Sequence, residues 1–259
     1  SEAVDGFSNA DLTVAGGVLS DVESTDGGVT WTATFTPTVD LESTGNVITL
    51  ADASVADFAG NTNSGTADSN TYAIDTLAPT VVSIEVADAA LKAGETSLVT
   101  ITFSEAVDGL TTADLTVAGG VVGDLETADG GVTWTATFTP TVDLESTGNV
   151  ITLADASVAD FAGNTNSGTA DSNAYGIDTL RPTATIEIAD TALKVGDTSL
   201  VTITFSEAVD GFSNADLTVA GGVLTDVETT DDGVTWTATF TPAVDLESTG
   251  NVITLADAS

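Results

Sequence analysis

The sequence predicts an all-β fold built several times over in tandem, and three observations predict it. Blocks of sequence recur at domain-sized intervals, apolar and polar residues alternate in short runs, and glycine, aspartate and asparagine turns separate the runs. Ser1-Glu2-Ala3-Val4-Asp5-Gly6 returns from Ser104 and again from Ser206, and the block from Gly28 to Pro37 returns at 131–140 and 233–242. A period of about one hundred residues is the size of a domain, well above that of a solenoid repeat. Three units are expected: 1–77, a partial copy lacking its first two strands; 78–180, a complete copy; and 181–259, a partial copy lacking its last strand. Residue 1 is not Met and falls inside a copy, so the sequence is expected to be an excerpt. Partial copies would leave strand edges unpaired, to be completed by continuing chain or by contacts between molecules.

The complete copy divides into seven expected strands, at 81–86, 97–103, 114–117, 121–126, 132–139, 149–154 and 174–177. In the first, Val82, Ile84 and Val86 are expected to face one way and Ser83 and Glu85 the other. In the second, Val99, Ile101 and Phe103 alternate with Leu98, Thr100 and Thr102. In the fifth, Val132, Trp134, Ala136 and Phe138 alternate with three threonines. Valine and threonine favour a pleated, half-buried surface. Between them lie expected turns at 90–94, Asp108-Gly109, Gly119-Gly120, 129–131 and 145–148, and the polar stretch 160–173. Seven short strands in a domain of this size predict immunoglobulin-like β-sandwiches in a linear array.

Strand alternation sorts the loops between two poles. The upper pole receives 104–113, 127–131 and 160–173; the lower receives 87–95, 118–120, 142–148 and the exit segment. In a tandem chain the lower pole of one copy faces the upper pole of the next.

Composition narrows the partners. Forty Asp and Glu oppose only Lys92, Arg181 and Lys194, a formal charge of −37. Nucleic acid and anionic membrane are therefore excluded as expected partners, since phosphate binding needs a cationic surface. No apolar run is long enough for insertion into a bilayer, and the first residues carry no secretory leader. Cys, His and Met are absent, which removes thiolate and imidazole metal sites and the common nucleophile–base pairs. Cations are the natural partners. Calcium suits a ligand set made only of hard oxygens, while screening of an acidic surface by molar salt is the alternative.

Candidate calcium ligands gather at the expected junctions. The linkers are Ile74-Asp75-Thr76-Leu77-Ala78-Pro79 and Ile177-Asp178-Thr179-Leu180-Arg181-Pro182, short and stiffened by proline. Beyond each comes an acidic loop, Glu105 to Asp108 and then Glu207 to Asp210. On the same pole lies Asp160-Phe161-Ala162-Gly163-Asn164, a copy of Asp57-Phe58-Ala59-Gly60-Asn61. Such a turn offers a carboxylate, an amide oxygen and exposed carbonyls, and calcium takes six to eight oxygens. The metal candidates are thus Asp57, Asn61, Asp75, Glu105, Asp108, Asp160, Asn164, Asp178, Glu207 and Asp210. Asp124, Glu126, Asp143 and Glu145 are expected to face water, and Asp114 to serve either a second site or a turn. None of these loops has EF-hand spacing.

The segments Ala78-Pro79-Thr80, Leu91-Lys92-Ala93-Gly94-Glu95, Thr100 to Glu105, Ala113-Asp114-Leu115-Thr116-Val117 and Asp160 to Asn164 together resemble bacterial immunoglobulin-like repeats. They are similar in particular to the extender repeats of giant RTX-type surface adhesins. The resemblance implies sandwiches stiffened by calcium at their joints, a secreted, surface-attached stalk holding a distal adhesive domain, and neighbouring repeats of the same chain as partners. It implies Asp75 and Asp178 as linker ligands, Glu105 with Asp160 and Asn164 on the upper pole, and Glu207 repeating Glu105. The glycine-rich nonapeptide repeats that name the RTX class are missing, as is a recognisable adhesive domain.

Two other functions remain at this point. A carbohydrate- or protein-binding sandwich would want exposed aromatic residues, whereas Trp31, Trp134 and Trp236 fall in an inward register. Paired carboxylates also suit glycoside hydrolysis, but near-identical copying of every unit argues for a non-enzymatic, structural role.

Overall fold

The computed structural model describes residues 2–256. The described residues are all-β apart from three single-turn 3-10 helices, and the chain divides into two compact units, one up to Thr179 and one from Leu180 onward. Among the described residues no helix is long and apolar enough to cross a membrane.

Every one of the seven expected segments of the middle copy contains a strand. One sheet runs Val81–Val86, Ser97–Phe103, Thr133–Pro140 and Gly120–Val122 in that order, with Glu126–Thr127 also on Thr133–Pro140. Opposite it, Tyr175–Asp178 lies between Ala90–Lys92, which it pairs in parallel, and Glu145–Asn149, which it pairs antiparallel. Leu115–Val117, Ile151–Leu153 and Ala170–Asp171 form a further three-stranded sheet. The alternating residues meet between these layers: Val99, Ile101, Phe138, Ile151 and Leu153 are fully buried, with Phe103, Leu91, Tyr175 and Ile177 beside them. Each such side chain contributes roughly 1.5–3 kcal/mol by leaving water.

The structure corrects several local expectations. Val82 is exposed, because a bulge between Val81 and Ser83 turns Val81 toward the core and Val82 out, while Ile84 and Val86 keep the inward register. The strand expected at 121–126 is interrupted: Val122 pairs with Phe138 and Glu126 with Thr135, so one extra residue is looped out between them. Two expected turns are strands. Ala90–Lys92 is held by Tyr175–Asp178 and buries Leu91. Glu145–Asn149 is a strand whose register shifts between Ser146 and Asn149, with Gly148 at φ +71 inside the irregularity. Bulge residues and turn residues share the same composition, which is why a strand there looks like a break.

The poles assemble as expected. At the upper pole Val107 N–H donates to Gly131 O at 3.1 Å, and Val107–Asp108 pairs with Ala159–Asp160. At the lower pole Thr141 N–H donates to Gly119 O and Thr179 N–H to Leu144 O. The tryptophans are half-buried core residues, each donating its indole N–H at 3.0 Å to the carbonyl three residues earlier, Gly28, Gly131 or Gly233.

Candidate metal centre

Asp160 opens a tight turn that it builds itself. Its Oδ1 accepts the backbone N–H groups of Ala162, Gly163 and Asn164 at 2.7–2.8 Å, and its Oδ2 accepts Asn164 Nδ2–H at 2.8 Å. The residue is 5% exposed. Burial pushes its carboxyl up, but the hydrogen bonds from Asn164, Gly163 and Ala162 outweigh it and leave Asp160 below the usual aspartate range. The same turn recurs in the first copy, where Asp57 Oδ1 accepts from Ala59 and Asn61 and Asp57 Oδ2 from Asn61 Nδ2. There too the carboxyl is held low, chiefly by Asn61. Asp57 and Asn61 thus form the same side-chain and backbone turn in the first copy.

Val107 pairs with Asp160, and this places the loop carrying Glu105 against the turn. The linker brings Asp75 to the same point. Carboxylate oxygens of Asp75, Glu105 and Asp160 all lie within 4.8 Å of one another, and Asn164 Nδ2 reaches both the carbonyl and the Oδ1 of Asp75, at 3.3 and 3.4 Å. Glu105 is the unsatisfied member. Its Oε1 is buried and has no hydrogen-bond partner among the described residues. Desolvation, then the charges of Asp160, Asp75 and Glu42, push its carboxyl up. If both members ionise, each such pair repels by about 3 kcal/mol at an effective dielectric of 20, reduced where water reaches it.

Four of the ten candidates therefore meet: Asp75, Glu105, Asp160 and Asn164. In this arrangement Asn164 clips two carboxylates together by donating to both. Asp108 lies opposite Ala159 and is exposed, outside the cluster. Asp178 is exposed at the end of its strand. In the second compact unit Glu207 repeats the local behaviour of Glu105, with Oε1 buried and unpartnered, while Asp210 is exposed. Asp114 serves a turn: its Oδ2 accepts from Thr111 N–H at 2.8 Å and Thr111 Oγ1–H at 2.7 Å. Asp124, Glu126, Asp143 and Glu145 are exposed, as expected.

Glu42 was missed by sequence reasoning. It sits opposite Asp75 in the ladder between Glu42–Asn46 and Tyr72–Asp75, and its charge reaches Glu105. The signal was the strand hidden in Glu-Ser-Thr-Gly-Asn, taken for a break because of its bulge.

Comparison with known proteins gives one family. Residues 1–74, 75–177 and 178–259 each match the bacterial Ig-like domain. No curated protein matches the sequence. Among solved structures, FdeC, an Escherichia coli adhesin, is 17% identical, with a TM-score of 0.37 over 93% of this chain and 80% of that one.

Proposed function

Because this chain belongs to the bacterial Ig-like domain family along its whole length, we propose that it is a structural extender of a bacterial surface adhesin. In this reading the tandem sandwiches are stiffened at their junctions by calcium and project a distal adhesive domain from the cell surface. The protein has a mechanical role, with no catalysis. Its partners are calcium ions and the adjoining repeats of the same chain.

The supporting observation is the Asp75, Glu105, Asp160 cluster with the buried, unpartnered Oε1 of Glu105. All donors are hard oxygens, as calcium prefers. Asp160 is prealigned by its own turn, Asp75 arrives from the linker, and Glu105 from the loop of the following domain. Bound calcium would supply positive charge to three converging carboxylates. Without it their repulsion opposes the approach of linker to domain. A metal that binds only the folded arrangement stabilises it by about 2.7 kcal/mol at one hundred times its dissociation constant, a sizeable part of a small domain's margin.

The test is a calcium titration of the chain by calorimetry, with thermal melting in calcium, in magnesium and in sodium chloride of matched ionic strength. Saturable heat and a melting rise specific to calcium, both lost in Glu105→Gln, support the reading. Equal responses to all three salts would replace it with simple screening of an acidic surface.

A further inference from the structure

The chain enters and leaves the middle copy through segments that are joined to each other. On entry, Val81–Val86 lies in one sheet and Ala90–Lys92 in the sheet opposite, so the entry segment crosses between layers. Its second part pairs in parallel with the exit strand: Ala90 lies opposite Gly176, Leu91 opposite Ile177 and Lys92 opposite Asp178, and Gly176 N–H donates to Ala89 O at 2.8 Å. Its first part is joined to the approach of the same strand by one side chain. Asn173 Oδ1 accepts Val86 N–H at 2.8 Å, and Asn173 Nδ2–H donates to Val86 O at 3.1 Å. The amide thus takes both backbone groups of Val86, 87 residues away in sequence, as a neighbouring strand would. Asn173 is itself exposed, so core packing does not call for it.

The exit strand is anchored from inside the sandwich. Tyr175 and Ile177 are each 2% exposed, and Leu91 beside them 1%. Tyr175 O–H donates to Ala118 O at 2.5 Å, and its ring packs edge-on to Phe138 at 5.0 Å. On its other side the strand pairs antiparallel with Glu145–Asn149.

Direction decides what these bonds do under tension. A pull on the two ends of the domain draws the entry segment back toward its N-terminal side and the exit strand forward toward its C-terminal side. Strands that run parallel are then drawn in opposite senses along their shared ladder, so its bonds are loaded together, in shear. Force applied to the same end of both strands would instead open the bonds one after another. The bonds of a parallel ladder are evenly spaced along the strand, which suits the sharing of load. Resistance to force is set by the unfolding rate rather than by equilibrium stability.

We infer that Asn173 and the parallel ladder form a tension clamp that joins the entry of this domain directly to its exit. Asn173 is the bolt at the point where the entry segment changes sheets: it keeps Val86 from sliding past the exit strand before the ladder beyond it takes the load. The use of such a clamp rests on the extender role proposed above, since a chain pulled end to end is what needs one. The clamp itself needs no metal.

The test is constant-force unfolding of the full chain in an optical trap, with a chelator present throughout. The sequence has no cysteine, so introduced ones are unique handles. Thr80→Cys with Leu180→Cys pulls across the domain, and Ala93→Cys with Leu180→Cys pulls on the same end of the paired strands; all three positions are exposed. In the first arrangement the event is recognised by a lengthening of roughly 300 Å, from about one hundred released residues. Unfolding across the domain should be at least about tenfold slower than peeling at the same force. Asn173→Ala should speed the first by about tenfold and the second by less than about threefold. Ile151→Val, a change at a fully buried position in another sheet, should lower the melting temperature yet move the first rate by less than about threefold. Equal rates in the two pulling directions, or equal acceleration by Asn173→Ala and Ile151→Val, overturns the clamp. A missing calcium response in the titration above would overturn the extender reading and leave this result as it stands.

Discussion

Val107 and Asp160 face each other in a two-residue antiparallel ladder, and this pairing sets the Glu105 loop beside the Asp160 turn. The other side of the loop is fixed by Gly131, whose carbonyl accepts both Val107 N–H and the Trp134 indole N–H. The candidate centre is therefore held by backbone bonds from two directions before any metal enters.

Gly131 is the first place to test that support. Its φ is +109, and a Cβ there would lie 2.3 Å from Val107 O, a backbone atom that has nowhere to go. Gly131→Ala is expected to cost about 3 kcal/mol or more, from strain plus a displaced ladder. Urea unfolding measures it. A loss below about 1 kcal/mol would mean the loop is not anchored through this contact.

The turn at Asp160 predicts an asymmetry between copies. Asp160→Ala removes the acceptor of three backbone N–H groups in a buried setting and should cost roughly 2–4 kcal/mol. Asp57→Ala removes only two such backbone bonds, from Ala59 and Asn61, at a residue that is half-buried, and should cost distinctly less. Equal losses in chemical denaturation would show that burial at the junction is not what makes Asp160 important.

Much of this was legible because period-two alternation is a strong signal and turn residues punctuate it. The burial of Val99, Ile101, Phe103 and Phe138, the two poles, and the meeting of Asp75 with Glu105, Asp160 and Asn164 all follow from strand order. What stayed hidden lies at irregularities. Val82 turns outward because of a bulge that composition does not announce. Ala90–Lys92 is a strand only because Tyr175–Asp178 lies beside it, a contact between residues far apart in sequence. The bulge at Gly148 and its copy at Gly45 hid a strand, and with it the position of Glu42 opposite Asp75. Asp108 was grouped with Glu105 by sequence proximity, but strand pleat turns neighbouring residues to opposite faces, burying Val107 and exposing Asp108.

The core tyrosine makes a separate prediction. Burial pushes the Tyr175 hydroxyl up to about 12, so it remains a donor to Ala118 O through any ordinary pH. Tyr175→Phe keeps the ring against Phe138 and removes one buried hydrogen bond, leaving Ala118 O without that donor. A loss of about 1–2 kcal/mol is expected in equilibrium unfolding. No loss would mean that water reaches the carbonyl and the strand is less tightly closed than its burial implies.

Acid should stabilise the metal-free junction before it destabilises the fold. Burial, then the charges of Asp160, Asp75 and Glu42, raise the Glu105 carboxyl above the usual glutamate range. A raised carboxyl favours the neutral form in the folded state. Its contribution is complete below the unfolded value and disappears as pH rises through the folded one. Asp160 works in the opposite sense: held below 3.8, it loses its contribution as pH falls through that lower value. With calcium chelated, lowering the pH from 7 toward about 5 should raise the wild-type melting temperature relative to Glu105→Gln. At pH 7 the Glu105→Gln variant should be more stable than wild type by about 1 kcal/mol, a figure already reduced for the partial exposure of the cluster. With saturating calcium the order should reverse, because the variant has lost a ligand. Parallel melting curves for the two proteins across this range, with and without calcium, would show that Glu105 carries no charge strain at the junction.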